Sequence, residues 1–197
     1  MLWISDQWKD YEVLDASEGE RLERWGKYVL VRPDPQVIWA TPHDAPQWKK
    51  YDARYIRSNT GGGHWSDHHL PERWQISYRD YLTFNVKPMN FKHTGVFPEQ
   101  AANWDFIREK VASAHRQVRV LNMMDPPSYG RGPSGEIWKM ETSFYPFLLE
   151  TAKLLTDDPL FVIINSYTTG LAPSAVSYAS DVVFGKDHGG KTAAGEL

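Results

Sequence analysis

The first half of the chain alternates apolar and polar residues with the two-residue period of a β-strand. Short strands are predicted in this half at Tyr11–Ala16, Lys27–Arg32, Gln36–Ala40, Trp74–Tyr78 and Leu82–Val86. The last two flank a short polar connection, which predicts an antiparallel hairpin. The charged segment Glu18–Trp25 between the first two strands is predicted to form a turn of helix. The pattern therefore predicts a β-rich N-terminal region.

The second half changes to the helical period. A helix is predicted from Pro98, a residue suited to the first helical position, to about Gln117, and another over Phe144–Leu155. Two further segments are typical of buried parallel strands: the largely apolar run Val118–Leu121 and the uninterrupted apolar run Leu160–Ile164. This order of elements predicts an α/β layer whose functional loops follow the carboxyl ends of the strands.

The composition of the chain excludes several kinds of functional site. The chain has 197 residues, of which 41% are hydrophobic, so it can bury a core, and we expect a β-rich region over residues 1–90 and an α/β region over residues 91–197. It contains no cysteine, which excludes disulfides, thiolate metal sites and cysteine nucleophiles.

The sequence has neither a long apolar run nor a signal-peptide pattern, so we expect a cytoplasmic location and no membrane partner. The net charge of -3 argues against indiscriminate binding to nucleic acid.

The most distinctive stretch follows the first apolar run, at Asp125-Pro126-Pro127-Ser128-Tyr129. Consecutive prolines fix two φ angles and remove two backbone donors, so the carbonyls of Asp125 and Pro126 stay available to a ligand. A carboxylate, rigid carbonyls and an aromatic ring suit a planar amine, with the oxygens accepting from N–H groups and Tyr129 stacking on the plane. A proline turn that closes a strand, with Tyr129 packed on the core, is the alternative interpretation.

Other candidate motifs are weaker. Gly61-Gly62-Gly63 brings backbone amides together, but no helix follows directly, so a flexible loop is favoured over a phosphate site. The histidines have no helical i, i+4 spacing with a supporting carboxylate, so no metal site is predicted. Asn165 and Ser166 follow the second apolar run, where they either contact a substrate or satisfy the end of the strand.

Five segments, in this order, resemble the class I S-adenosylmethionine (SAM)-dependent methyltransferases related to large-subunit ribosomal RNA methyltransferase I. The segments are Trp25–Pro35, Arg57–Trp65, Lys92–Gln100, Asp125–Pro133 and Ile164–Leu171. The resemblance covers most of the chain, and it implies a Rossmann-like methyltransferase domain after a β-rich N-terminal part.

The resemblance also implies roles for single residues. Phe97 and Gln100 line the methionine side of the SAM pocket, and Asn122 ends the strand that leads to the cofactor. The Asp125–Tyr129 loop, including Ser128, faces both cofactor and target base, with Asn165 and Ser166 on the substrate side. Nucleic acid, in particular ribosomal RNA, is the implied substrate. Members that methylate cytosine carbon need a cysteine thiolate, so a nitrogen is the expected target here.

The chain departs from the family between Asn122 and Asp125. In the family, a glycine-rich turn and further strands with acidic ends for the ribose lie between these positions, whereas here only Met123 and Met124 do. The methyltransferase layer is thus expected to be shortened and to lack the usual nucleotide cradle. One alternative is therefore an inactive remnant that binds RNA or a protein partner. A second alternative, suggested by the nine tryptophans, is a carbohydrate-binding module.

Overall fold

The computed structural model describes residues 2–59, 62–66, 69–120, 129–131, 134–167 and 171–196. The chain forms two compact units. The N-terminal unit is Ser5–Ala101, and the C-terminal unit is Ala102–Leu197 together with Met1–Ile4. Over the described residues, no helix is long and apolar enough to cross a lipid bilayer.

The N-terminal unit is built on a sheet with the strand order β1-β2-β3-β4-β5. Its strands are β1 (Tyr11–Ser17), β2 (Glu20–Trp25), β3 (Tyr28–Pro33), β4 (Ala53–Arg57) and β5 (Gly63–Trp65). β3 and β4 pair in parallel, and the other neighbours pair antiparallel. β6 (Trp74–Tyr78) and β7 (Leu82–Val86) form a separate antiparallel hairpin. The predicted β-rich N-terminal region is confirmed.

A tight turn at Gly26 sets the register of β2 and β3. Gly26 has a φ of 66°, in the left-handed region that glycine adopts without strain, and the turn places Trp25 opposite Tyr28. Both faces of the sheet are buried here, because adjacent residues such as Leu30 and Val31 point to opposite faces and neither is exposed. The core of this unit includes Leu22, Trp25, Leu30, Val31, Ile76 and Tyr78, none of them more than 1% exposed.

The predicted turn of helix over Glu18–Trp25 is wrong, because most of this segment is strand β2. β2 pairs with β1 on one side and β3 on the other, and this position buries Leu22 and Trp25 despite the charged residues between them. The predicted strand over residues 36–40 does not form either. Val37 and Trp39 instead accept backbone hydrogen bonds from the turn between β1 and β2.

The C-terminal unit packs helices around a small apolar core. Its elements are α1 (Ala101–Ser113), the β8 (Tyr129–Arg131) and β9 (Ile137–Lys139) hairpin, α2 (Met140–Ala152) and α3 (Pro173–Ser180). A single π-helical turn, Asp181–Gly185, and Lys186–His188 continue α3. Met140, Phe144 and Leu148 of α2 pack with Val183 in the buried core. Helices are therefore confirmed near both predicted positions, although α1 ends four residues before Gln117.

The two apolar runs are not strands where the structure describes them. Residues 118–120 and 161–164 have no strand assignment, and no described strand pairs with either segment. A strand is stable only within a hydrogen-bonded ladder, so apolar character alone does not produce one. The second run contacts α1 through one ring pair, Phe161 and Phe106, whose centres are 5.5 Å apart. Beyond the end of α1, Arg116 donates to the carbonyl of Asp158.

Candidate functional site

The segment that resembles the family's cofactor turn lies in a folded loop of the N-terminal unit, residues 87–100, which we name the Phe97 loop. Lys87 N–H donates to the Thr94 carbonyl at 3.1 Å, and Met89 N–H donates to the His93 carbonyl at 3.3 Å. Gly95 follows with a φ of 102°, which a residue with a Cβ adopts only under strain. These internal bonds give the loop a defined conformation.

The end of the Phe97 loop is tied to the start of the same unit. Trp8 Nε1 donates to the Pro98 carbonyl at 3.0 Å, and Ser5 Oγ donates to the Glu99 carbonyl at 2.8 Å. Pro98 begins a 3-10 turn, Pro98–Gln100, that runs directly into α1. Phe97 precedes this turn and is 44% exposed. The loop therefore presents an aromatic surface on a fixed backbone.

A buried ion pair lies beneath the loop. Glu23 of β2 is fully buried, and Arg32 of β3 is 5% exposed. Arg32 Nε and Nη2 donate to the two carboxylate oxygens of Glu23 at 2.5 and 2.7 Å, and the Tyr11 hydroxyl donates to the same carboxylate at 2.7 Å. The Arg32 guanidinium also lies over the Trp25 ring at 4.9 Å. Three hydrogen bonds from two side chains thus satisfy a carboxylate that would be costly to bury alone.

Arg32 links this pair to the Phe97 loop. Its Nη1 donates to the Lys92 carbonyl at 3.1 Å, and Lys92 Nζ donates in return to the Pro33 carbonyl, also at 3.1 Å. Because Arg32 is held at both oxygens of Glu23, it acts as a rigid donor that fixes the backbone of the loop at Lys92. The sheet core and the Phe97 loop are therefore one connected hydrogen-bonded structure.

Charge and burial perturb the titration of this cluster. Burial alone would raise the pKa of the Glu23 carboxyl, but the charge and hydrogen bonds of Arg32 outweigh it and hold the pKa below its usual range. Desolvation lowers the pKa of the Lys92 ammonium, against the attraction of Asp34. Desolvation likewise lowers the pKa of His93, with added repulsion from Arg32 and Lys92. Both effects favour the neutral form of the His93 imidazole.

We expect an NMR titration to give His93 an imidazole pKa below the reference value of about 6.5, and removal of the nearby charge by Lys92→Met to raise it. Since the folded state binds this proton less readily than the unfolded chain, protonation of His93 opposes folding. Its stabilising effect is present above pH ~6.5 and declines as pH falls toward the folded pKa. An unshifted His93 would mean that the imidazole is hydrated and not packed against Phe97, whose ring centre is 4.9 Å away.

Tyr129 is the only member of the predicted amine site within the described residues; Asp125 and Pro126 lie outside them, as do Ser128 and Asn122. Tyr129 is the first residue of strand β8, and the residue is 50% exposed. Arg131 Nε donates to the Tyr129 hydroxyl at 2.9 Å. The ring is thus anchored at its hydroxyl and leaves half of its surface accessible.

Asn165 and Ser166 lie in the C-terminal unit, as Tyr129 does. Asn103 Nδ2 of α1 donates to the side-chain oxygen of Asn165 at 2.9 Å, which orients the Asn165 amide. Ser166 is exposed. Phe97 and Gln100, by contrast, belong to the N-terminal unit, where Gln100 is half-buried at the end of the 3-10 turn. The predicted site residues that the structure describes are therefore divided between the two units.

Sequence reasoning missed Glu23 and Arg32. The signal was available: a two-residue hairpin turn at Gly26 and Lys27 puts Glu23 opposite Leu30, and Arg32 is then its diagonal neighbour on the same face of the sheet. A helical interpretation of Glu18–Trp25 conceals this relation. Opposite charges at diagonal positions of a predicted hairpin are the pattern that identifies such a pair.

The described residues fit one end of SAM. The exposed ring of Phe97 offers apolar contact, and the Gln100 amide can both donate and accept, which suits the methionine part of the cofactor. No acidic side chain following a strand and a glycine-rich turn, the usual partner of a ribose, occurs among the described residues. Nor do these residues include a group of three His, Asp or Glu side chains that could hold a metal ion.

Comparison with known proteins identifies the fold. No protein-family model and no curated protein matches the chain. Its structure is similar to the SAM-dependent methyltransferase from Agrobacterium tumefaciens, with 20% identity over 90% of this chain and 79% of that one and a TM-score of 0.79. It is also similar to SMU.776, a protein classed as a methyltransferase and solved in complex with SAH, with 12% identity over 92% of this chain and 67% of that one and a TM-score of 0.58. The chain therefore has the fold of SAM-dependent methyltransferases.

Proposed function

We propose that this chain is a SAM-dependent methyltransferase that transfers a methyl group to a nitrogen of nucleic acid, specifically of ribosomal RNA, in the cytoplasm. The observation that carries the proposal is the structural similarity over 90% of the chain to a SAM-dependent methyltransferase. The family resemblance of the five sequence segments supports the ribosomal RNA substrate, and the absence of cysteine favours nitrogen over a thiolate-dependent route to carbon.

In this proposal the protein mainly positions its reactants. When bound, SAM would supply a methyl group on its sulfonium sulfur, and in-line transfer to the target nitrogen would break the S–C bond and release S-adenosylhomocysteine. Phe97 and Gln100 hold the methionine end, with Asn122 at the end of the preceding segment. The rigid Phe97 loop keeps its aromatic ring in place, because Arg32, Trp8 and Ser5 fix the backbone on both sides.

Asp125 and Pro126 orient the target amine in this mechanism. The Asp125 carboxylate and the Pro126 carbonyl accept hydrogen bonds from the amine N–H groups, which aims the nitrogen lone pair at the methyl carbon. Asp125 takes up the proton that leaves nitrogen as the new N–C bond forms. Tyr129 stacks on the base plane, while Ser128, Asn165 and Ser166 contact the surrounding nucleotide.

The direct test is calorimetric titration of the whole chain with S-adenosylhomocysteine (SAH), because product binding requires no knowledge of the substrate. We expect saturable binding near micromolar Kd, about -8 kcal/mol. Phe97→Ala should weaken SAH by about tenfold, equivalent to roughly 1.4 kcal/mol, since it removes the aromatic contact with the methionine end.

Phe91→Ala is the matched control, because Phe91 is an exposed phenylalanine of the same loop that has no cofactor role in the proposal. It should leave SAH binding unchanged. Absence of SAH binding by a protein that retains its circular dichroism spectrum would overturn the enzyme proposal. The shortened segment between Asn122 and Asp125 would then identify the chain as a cofactor-free remnant that binds RNA or a protein partner.

A further inference from the structure

A cleft of about 630 Å³ opens on the N-terminal unit, where the turn between β2 and β3 meets strand β6. Gly26, Lys27 and Tyr28 line it from the turn, and Arg73 and Trp74 line it from the β6 side. None of these residues belongs to the Phe97 loop or to the predicted amine site. The cleft is therefore a separate feature of the surface.

Two aromatic rings form a fixed wall of this cleft. Tyr28 and Trp74 pack edge to face with their ring centres 5.1 Å apart, and Trp74 Nε1 donates to the Trp25 carbonyl at 3.0 Å. Gly26 leaves room beside them: a Cβ at this position would lie 3.5 Å from Trp74 Cδ1, and its φ of 66° also disfavours other residues. The wall is thus held in shape before any ligand arrives.

The cleft also has an excess of positive charge. Lys27 and Arg73 are both exposed, and among the described residues neither forms an ion pair. Lys27 Nζ lies 5.3 Å from the centre of the Tyr28 ring, next to the aromatic wall. The carboxylate in the cleft, Asp10, already accepts the backbone N–H of Ser77 at 2.8 Å. Two cations therefore remain available to an anionic ligand.

We propose that this cleft binds a nucleotide of single-stranded nucleic acid, with a phosphate between Lys27 and Arg73 and the base against Tyr28 and Trp74. Proteins bind single-stranded nucleic acid by combining cationic side chains along its phosphate backbone with aromatic rings on which the bases stack. The inference rests on the proposed nucleic-acid substrate and adds a docking site away from the reacting atoms. A neutral glycan would use the rings but would gain nothing from the two cations.

The test is fluorescence anisotropy of a fluorescein-labelled oligouridylate of about 12 nucleotides, titrated with the whole chain at several salt concentrations. We expect the double variant Lys27→Ala/Arg73→Ala to bind at least tenfold more weakly than the wild type. The slope of log K against log salt should fall by about 0.7, the contribution of the one phosphate contact that the variant loses to a single strand. Both side chains are exposed, so the variant should retain its fold.

The matched control is Lys49→Ala/Lys50→Ala, which removes the same charge from two exposed lysines outside the cleft. It should bind the oligonucleotide like the wild type. The proposal is overturned if the wild type does not bind, if both double variants lose affinity equally, or if cellohexaose displaces the oligonucleotide. If the chain binds RNA through this cleft but does not bind SAH, only the proposed methyl transfer is refuted, and the cleft proposal stands.

Discussion

Replacing Glu23 with alanine is expected to lower the free energy of unfolding by about 3–5 kcal/mol. Glu23 is fully buried and accepts hydrogen bonds from Arg32 and Tyr11. The substitution leaves the Arg32 guanidinium buried without its countercharge, and no other carboxylate of the described residues forms an ion pair with it. Guanidinium denaturation followed by tryptophan fluorescence measures the change directly, because Trp25 packs against both Tyr11 and Arg32.

Glu20→Ala on the same strand provides the matched control. Glu20 pairs with Arg54 at 2.7 Å, but the Arg54 side chain is 44% exposed, so this substitution should cost only about 0–1 kcal/mol. Equal costs for Glu23→Ala and Glu20→Ala would contradict the assigned role of burial. A Glu23→Met/Arg32→Met variant should cost less than Glu23→Ala alone, because it leaves no unpaired charge in the core.

The Glu23 pair should also make the protein sensitive to acid. The folded-state pKa of this carboxyl is lowered, so its stabilising effect is complete above the unfolded pKa of about 4.3 and is lost as pH falls through the folded value. Since Arg32 also fixes the Lys92 carbonyl, loss of the pair is expected to loosen the Phe97 loop.

Replacing Asp125 with alanine is expected to reduce methyl transfer by about 10²–10⁴-fold while leaving SAH affinity near that of the wild type. Under the proposed mechanism, Asp125 orients the target amine and accepts its proton, whereas Phe97 and Gln100 hold the methionine end of SAM. The measurement is transfer of radiolabelled methyl from SAM to ribosomal RNA, with SAH titration of the same sample as the binding control.

Asp157→Ala is the matched substitution for this experiment, because Asp157 is an exposed aspartate of the same unit with no proposed role. It should leave transfer unchanged. Undiminished transfer by Asp125→Ala would show that the amine binds elsewhere. Equal loss of transfer and of SAH affinity would show that Asp125 supports the cofactor pocket and does not act on the amine.

Local patterns predicted the elements whose stability is mostly local. β1, β3 and the β6–β7 hairpin form at the predicted positions, because alternation of apolar and polar residues suits a half-buried sheet. α1 and α2 also follow the helical spacing of their apolar residues. The Phe97 loop enters α1 through Pro98, as the preference of proline for the first helical position indicates.

The errors occur where neighbouring strands decide the outcome. The charged segment that became β2 has no clear strand pattern, yet it pairs with strands on both sides. The apolar run over residues 160–164 has a clear strand pattern, yet no described strand pairs with it, and it contacts α1 instead. In both cases the partner in space outweighs the intrinsic preference of the segment.

The sequence by itself determined which chemistry is excluded, since a chain without cysteine has no thiolate nucleophile, and it determined β1, β3, the β6–β7 hairpin, α1 and α2. Only the tertiary structure decided that Glu23 and Arg32 meet in the core and that Arg32 holds the Phe97 loop at Lys92. The physical reason is the separation along the chain over which each interaction acts. Periodicity acts between neighbours in the chain, whereas burial of a charge depends on every segment that excludes water from it.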